Sequence, residues 1–346
     1  MTHVFRKFFK ISQNKKARKS SLSSKLELIT LEERITPATY TVLNNNDAGP
    51  DSLRRAIVDS NLTIESDTIV FSGVVSGITL ASALPAIDKT STAGTLTITG
   101  PGSSFLTISG NNGVANRNFN IFNISAGGNL AISGVTVSGA IISGDGGAFA
   151  NDGTLTISSS IVSGNTTSGT FSSGGGIYNS RSGTLTVSNS TIFGNTASAS
   201  GGGILNYGGN LTVNNSTISG NKATNGSGGG IYTGYRFGGS KATVSNSTIS
   251  GNSAKYGGGI SNGSGDNLTV NNSTISGNSA TAATNGGGGI RNQGTLNLLN
   301  STISSNAAPA YGGGISNGGG TLNIANTIIA NSTGSTGAAI FLARVL

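Results

Sequence analysis

The stretch GGGISNGSGDNLTVNNSTISGNSA, residues 257–280, carries the information that decides the fold. It holds a glycine triplet closed by Ile260, an alternating run through Leu268 and Val270, a lone apolar Ile275 between Thr274 and Ser276, and a closing Asn278. The same arrangement returns along the chain. The glycine-rich anchor ending in Ile or Phe recurs at Phe149, Ile177, Ile204, Ile231, Ile260, Ile290, Ile315 and Ile340, in steps of 25 to 30 residues. A second series, Asn165, Asn195, Asn221, Asn252, Asn278, Asn306 and Asn331, keeps nearly the same beat. Two independent marks at a period of about 27 residues are the signature of a solenoid.

The alternation inside one repeat says which solenoid. In GTLTVSNSTIFGN, residues 183–195, Leu185 and Val187 share one face of an extended strand, and Thr184 and Thr186 share the other, because successive strand side chains point to opposite sides. Ile192 then points inward between Thr191 and Phe193. Each repeat therefore offers three short strands, at GGGI, TLTV and STI, separated by Gly, Asn and Ser corners that tolerate positive φ. The repeats have no 3.6-residue apolar periodicity and no L-x-x-L-x-L pattern, which excludes helical and horseshoe solenoids. The expected fold is all-β: a right-handed parallel β-helix of three-strand coils.

Composition agrees. Glycine makes up 56 of 346 residues and proline only 5, and the glycines sit at fixed places in the period, as corners do and linkers do not. Upstream, DTIVFSGVVSGITLASALPAI (67–87) and its successors read as irregular first coils. Before them, DSLRRAIVDSN (51–61) places Leu53, Ala56 and Ile57 on one helical face, with Asp51 or Ser52 available as N-cap, since both side chains accept from the first free N–H groups. A short helix there covers the open first coil, whose bare edge would otherwise invite aggregation. The expected organisation is a basic, disordered tail over 1–38, an N-terminal cap over 39–66, the β-helix over 67–341 and a C-terminal end over 342–346.

Charge divides the chain unevenly. Residues 1–25 hold eight Lys or Arg and no acid, leaving twelve basic and twelve acidic residues in the rest. The tail reads as a targeting or solubilising segment, and the neutral body offers no nucleic-acid surface. The tail has no continuous apolar run of an ordinary signal peptide, and no stretch reads as a transmembrane helix.

Residues 26–57, LELITLEERITPATYTVLNNNDAGPDSLRRAI, resemble the N-terminal signature of large planctomycete-type surface proteins, in which a basic tail leads into L-E-x-R-x-x-P-A and then D-x-G-x-x-S-L-R-x-A-I. The matching positions are Leu31, Glu32, Arg34, Pro37 and Ala38, then Asp47, Gly49, Ser52, Leu53, Arg54, Ala56 and Ile57. The repeats are similar to those of the polymorphic outer membrane protein family, whose G-G-A-I motif stands here as Gly174, Gly175, Gly176 and Ile177 and its successors. The companion F-x-x-N motif is absent, its nearest position reading Ile192-Phe193-Gly194-Asn195. The resemblance implies a β-helix that is outer membrane-associated, otherwise on the cell surface, or secreted, with no known reaction.

The inventory of reactive residues is thin. Between 140 and 346 the acids are Asp145, Asp152 and Asp266, and four coil steps of about 4.8 Å separate the first two from the third, beyond the roughly 5–9.5 Å between paired carboxylates in glycoside hydrolysis. The sole histidine is His3 and there is no cysteine, which removes a Ser-His-Asp triad, a thiolate nucleophile and histidine metal sites from the repeats. No catalytic residue, metal site or cofactor is expected. If the chain is instead a polysaccharide lyase or hydrolase, its site belongs in the irregular first coils near Asp67, Asp88 and Arg117. The Asn-Ser-Thr triplets, such as Asn215-Ser216-Thr217, match a glycosylation sequon and read as corner geometry.

Two stacked series remain. Two residues after each anchor stand Asn151, Asn179, Asn206, Thr233, Asn262, Asn292 and Asn317, on the buried side, where their amides form a structural ladder. One residue after the anchor stand Ala150, Tyr178, Leu205, Tyr232, Ser261, Arg291, Ser316 and Phe341, facing outward; Tyr178, Tyr232 and Arg291 are the ligand-binding candidates, for surface glycans or envelope proteins. The outward TLTV positions Thr184, Asn210, Lys241, Asn267, Thr295 and Thr321 vary too much for a regular threonine lattice. The expected function is a non-catalytic surface or secreted β-helix acting in adhesion or as an envelope scaffold. The apolar ending FLARVL, with no polar cap, leads us to expect end-to-end self-association.

Overall fold

The computed structural model describes residues 36–89, 94–110, 118–234, 238–309, 311–335, 337 and 339–342. The tail with Leu31, Glu32 and Arg34, the candidate Arg117, the side chains of Phe341 and Leu342, and residues 343–346 lie outside that description.

The described chain is a parallel β-solenoid of about ten turns with one short helix near its start. Strands stack in sequence order with parallel register throughout. The TLTV strands form an eleven-stranded sheet from Thr39–Val42 to Thr321–Ala325, the STI strands a ten-stranded sheet from Gly77–Thr79 to Ile328–Ala330, and the anchor strands a nine-stranded sheet from Phe122–Ile124 to Ile340–Leu342. A fourth sheet of six strands, two to six residues long, from Ile141–Ile142 to Ser279–Ala280, supplements these three. It follows the closing Asn of each middle repeat. Its strands have one core position each, filled in turn by Ile142, Thr167, Ala197, Ala223, Ala254 and Ala280, and a single core residue carries no periodicity to read.

Register turns the repeat into columns. Leu155, Leu185, Leu211, Ala242, Leu268 and Leu296 stack, as do Ile157, Val187, Val213, Val244, Val270 and Leu298, and both columns are buried. The STI strands add Val162, Ile192, Ile218, Ile249, Ile275 and Ile303, and the anchors add Phe149 to Ile315. Each aliphatic side chain buried this way stabilises by about 1.5–3 kcal/mol relative to exposure. The contact is between coils, so no coil has a core of its own.

Tight corners let the coils stack. Gly201 takes φ +64°, and a Cβ on the next residue, Gly202, would collide with the Gly229 carbonyl of the following coil. Only glycine fits both demands. At the opposite corner, Asn189, Asn215, Asn246, Asn272 and Asn300 adopt φ of 48–51°, a left-handed conformation that asparagine tolerates better than other side chains. The serine that follows each of them is nearly buried, and its hydroxyl accepts from the serine N–H of the preceding coil, as in Ser190 N to Ser216 Oγ at 3.1 Å. The Asn-Ser-Thr triplets are thus corner, buried rung and outward strand residue in succession.

The N-terminal motif acquires a physical reading. Helix α1 spans Leu53–Asn61, and Ser52, not Asp51, caps it, its Oγ accepting from Arg55 N at 3.2 Å. Leu53, Ala56 and Ile57 enter the core. Arg54 pairs with Asp47 at 2.6 Å and donates to the carbonyls of Ser82 and Ala83, tying the helix to the loop before the first full coil. Gly49 takes φ +98°. Beneath the helix Asp67 and Lys89, 1% and 2% exposed, form a 2.9 Å ion pair.

Candidate functional site

In the anchor strands from Phe122–Ile124 to Ile315–Asn317 the first and third residues point inward and the second outward. The third position places Asn151, Asn179, Asn206, Thr233, Asn262, Asn292 and Asn317 in one buried column. Asn151 Nδ2 donates to Asn179 Oδ1 and Asn179 Nδ2 to Asn206 Oδ1, both at 2.7 Å. Asn262 donates to Asn292 at 2.7 Å and Asn292 to Asn317 at 2.6 Å. Thr233 interrupts the column: Asn206 reaches its hydroxyl only at 3.5 Å, and Asn262 Oδ1 is buried without a donor.

A second asparagine column went unread in the sequence, where Asn165, Asn195, Asn221, Asn252, Asn278 and Asn306 serve as period marks and corner residues. All six are at most 1% exposed. Each Oδ1 from Asn195 to Asn306 accepts both the backbone N–H and the side-chain amide of the asparagine one coil before, as Asn221 Oδ1 does from Asn195 N and Nδ2 at 3.0 Å. This column is continuous where the other is broken.

The second position of the anchor strands holds Ala150, Tyr178, Leu205, Tyr232, Ser261, Arg291 and Ser316 in register. The rank is more recessed than an outward-facing row suggests. Leu205 is 4% exposed and Ser261 and Ser316 are 0%, so Ser261 is not a solvent-facing position. The left-handed glycine opening each triplet folds back along the strand: Gly257 lies against the Cβ of Ser261, and Gly146 against that of Tyr178 one coil on. The turns thus wall one side of the rank and recess part of it.

Aromatic rings from that rank and its flanks come together. Tyr178 and Tyr207 stack with centroids 6.2 Å apart and 29° between planes. The Tyr232 ring lies over Gly234, where a Cβ would strike it. Arg291 sits 5.1 Å from the centroid of the Tyr256 ring, and Lys255 Nζ is 5.4 Å from the same centroid. Tyr178, Tyr232 and Arg291 therefore share one face, joined by Tyr207 and Tyr256. Tyr207 stands in a loop and Tyr256 ends the strand Ser253–Tyr256, both outside the repeat's fixed positions, and no periodic signal marks them. Burial, with Asp145 and Asp152 nearby, pushes the Tyr178 phenol up to about 12. Burial and then Asp266 raise Tyr232, against the opposing effect of Arg291.

Two carboxylates of the repeats are tied to backbone N–H groups. Asp145 Oδ1 accepts from Ser173 N and Asp266 Oδ1 from Ser240 N, both at 2.7 Å. Asp67 accepts from Lys89, Thr63, Ser60 and Ala38 N. Burial alone would raise its carboxyl, and those hydrogen bonds together outweigh burial and hold it below the usual range. Asp88 is exposed, so the structure does not bring it into the Asp67 cluster. Among the described residues no group of three His, Cys, Asp or Glu could hold a metal ion, and no helix is long and apolar enough to cross a membrane.

The threonines also deserve correction. The rank through Thr184 and Asn210 is mixed, but two others are uninterrupted: Thr156, Thr186, Thr212, Thr243 and Thr269, and Thr191, Thr217, Thr248, Thr274 and Thr302.

Residues 87–290 match the family model described as right handed beta helix region. Comparison with curated proteins gives no match. Among solved structures, the A-module of the mannuronan C-5 epimerase AlgE6 of Azotobacter vinelandii is similar over 89% of this chain and 100% of its own, with 16% identity and a TM-score of 0.32.

Proposed function

This chain belongs to the right-handed β-helix family, and from that premise we propose that it is a non-catalytic cell-surface or secreted protein whose anchor-sheet face binds glycans, for adhesion or as an envelope scaffold. The observation that carries this reading is the gathering of Tyr178, Tyr207, Tyr232 and Tyr256 along one face. Tyr178 and Tyr232 stand two coil steps apart, about 10 Å, a span that a disaccharide covers. Tyrosine offers a rigid apolar ring for the C–H face of a sugar and a hydroxyl for its polar rim, at little entropic cost. A parallel coil stack repeats that surface along its axis, which suits a linear polymer.

The carboxylates support the non-catalytic reading. Asp145 and Asp266 each accept a corner N–H, and four coil steps, roughly 19 Å, separate their coils. Binding to immobilised glycans and to cells tests the proposal. The double variant Tyr178→Ser, Tyr232→Ser should lose most of the parent's retention. Parent-like adhesion by that variant would show that the face is ordinary surface.

A further inference from the structure

The cationic end of this face is chemically incomplete. Arg291 is half-buried, with its guanidinium carbon 5.1 Å from the Tyr256 ring centroid and Lys255 Nζ over the same ring. Two cations on one ring repel each other. Among the described residues the ion pairs are Arg54–Asp47, Arg55–Asp59 and Lys89–Asp67, all in the N-terminal part of the chain. None involves Arg291 or Lys255. The acid of the neighbouring coil, Asp266, is fully buried and turned to the Ser240 N–H. Burial pulls the Arg291 guanidinium below its usual range, against the opposing influence of Tyr232 and Tyr256, so the cation is held where solvation is poor and no carboxylate compensates it.

A second observation at the same place is independent of charge. Ser261 and Ser316 are the register partners of Arg291 on the preceding and following strands. Both are 0% exposed, and both hydroxyls lack a hydrogen-bond partner. Buried hydroxyls are ordinarily satisfied, and each exception calls for a physical reason. Neither hydroxyl accepts from Arg291, so the partly desolvated guanidinium gains no acceptor from its register neighbours.

We infer that Arg291, with Lys255 beside it over the Tyr256 ring, forms an oxyanion subsite within the glycan-binding face, taking the carboxylate or sulfate group of an acidic glycan. The inference rests on the reading of that face as a glycan surface and names the substrate class. Guanidinium presents a planar fork that matches an oxyanion with two parallel N–H donors. Lys255 adds charge at the solvent rim, and Tyr256 carries the adjoining sugar ring. Asp145 and Asp152 lie at the far end of the face, so an acidic group is favoured at the Arg291 end and opposed at the other.

The experiment measures affinity of the full chain for three oligosaccharides of equal length: neutral, uronic acid-containing and sulfated. The parent should prefer the acidic probes by about 10- to 100-fold, the range expected for a hydrogen-bonded charge contact, and the preference should shrink as salt rises. Arg291→Gln and Arg291→Lys should both lose the preference, the lysine variant because it keeps the charge but not the fork. Lys255→Gln, at an exposed side chain, should reduce it without altering the melting temperature. That variant keeps the test valid should the Arg291 changes unfold the chain. The tighter of the two acidic probes identifies the anion, and equal binding of both supports a shared oxyanion site. Equal affinity for neutral and acidic probes, or a preference that survives in both Arg291→Gln and Lys255→Gln, overturns the inference and leaves the glycan reading intact. Failure of all three probes to bind overturns both.

Discussion

Replacing Thr233 by Asn should stabilise this protein, against the general tendency of buried substitutions. Thr233 is 0% exposed and sits in the asparagine column between Asn206 and Asn262. A threonine hydroxyl there leaves a 3.5 Å contact with Asn206 on one side and a donor-less Asn262 Oδ1 on the other. Asparagine has nearly the volume of threonine and restores both rungs: its Oδ1 accepts from Asn206, and its amide donates to Asn262. The second amide hydrogen goes to the Asn267 carbonyl, just as Asn206 Nδ2 donates to the Lys241 carbonyl at 3.2 Å. Supplying a donor to a buried, unpaired acceptor is worth about 1–3 kcal/mol. With about 2–4 °C per kcal/mol for a chain of this size class, the thermal midpoint should rise by several degrees. Thr233→Val is the matched control, since it keeps the shape and supplies no donor, and it should not exceed the parent. Differential scanning calorimetry of the three proteins at one concentration is the assay. A midpoint for Thr233→Asn at or below that of the parent would refute the reasoning, because the column would then be tolerant of a missing rung.

Three further outcomes follow from other positions. Asn221→Leu removes the acceptor of two N–H groups and the donor to Asn252, so it should cost about 3 kcal/mol or more, whereas exposed Thr212→Leu should cost little; equal unfolding midpoints in urea would contradict the second column. Asp67→Asn leaves Lys89 buried beside a neutral partner and should destabilise by about 3–5 kcal/mol at pH 7. Because the Asp67 carboxyl is held below its usual range in the fold, its contribution is fully present above the unfolded value of about 3.9 and is lost as pH falls through the folded value. The gap between parent and variant should therefore close under acid, and a gap constant from pH 7 to pH 2 would exclude the linkage. The Tyr178 phenol should ionise only near about 12, read as the ultraviolet difference between the parent and Tyr178→Phe during an alkaline titration; ionisation near pH 10 would show the ring to be freely solvated.

Much of this architecture is legible in the chain because a solenoid repeats its own instructions. The anchor series from Phe149 to Ile340 and the alternation in TLTV determine coil length, the inward face of two sheets and the place of the Asn151–Asn317 column, since strand side chains obey a strict period of two. Helix α1 is equally readable, its apolar face and cap being local features. What only the tertiary structure decides lies at corners and in loops. An asparagine such as Asn221 looks the same in sequence whether its amide meets solvent or the core, because a corner has no period, and its direction depends on how the next coil closes beneath it. The two-residue strands that end in Ala197 and Ala280 exist only because neighbouring coils supply their hydrogen bonds. The recession of Ser261 comes from a glycine turn folding back on its own strand. Tyr207 and Tyr256 reach Tyr178 and Arg291 across coils separated by a whole repeat in sequence, and stacking alone brings them within contact.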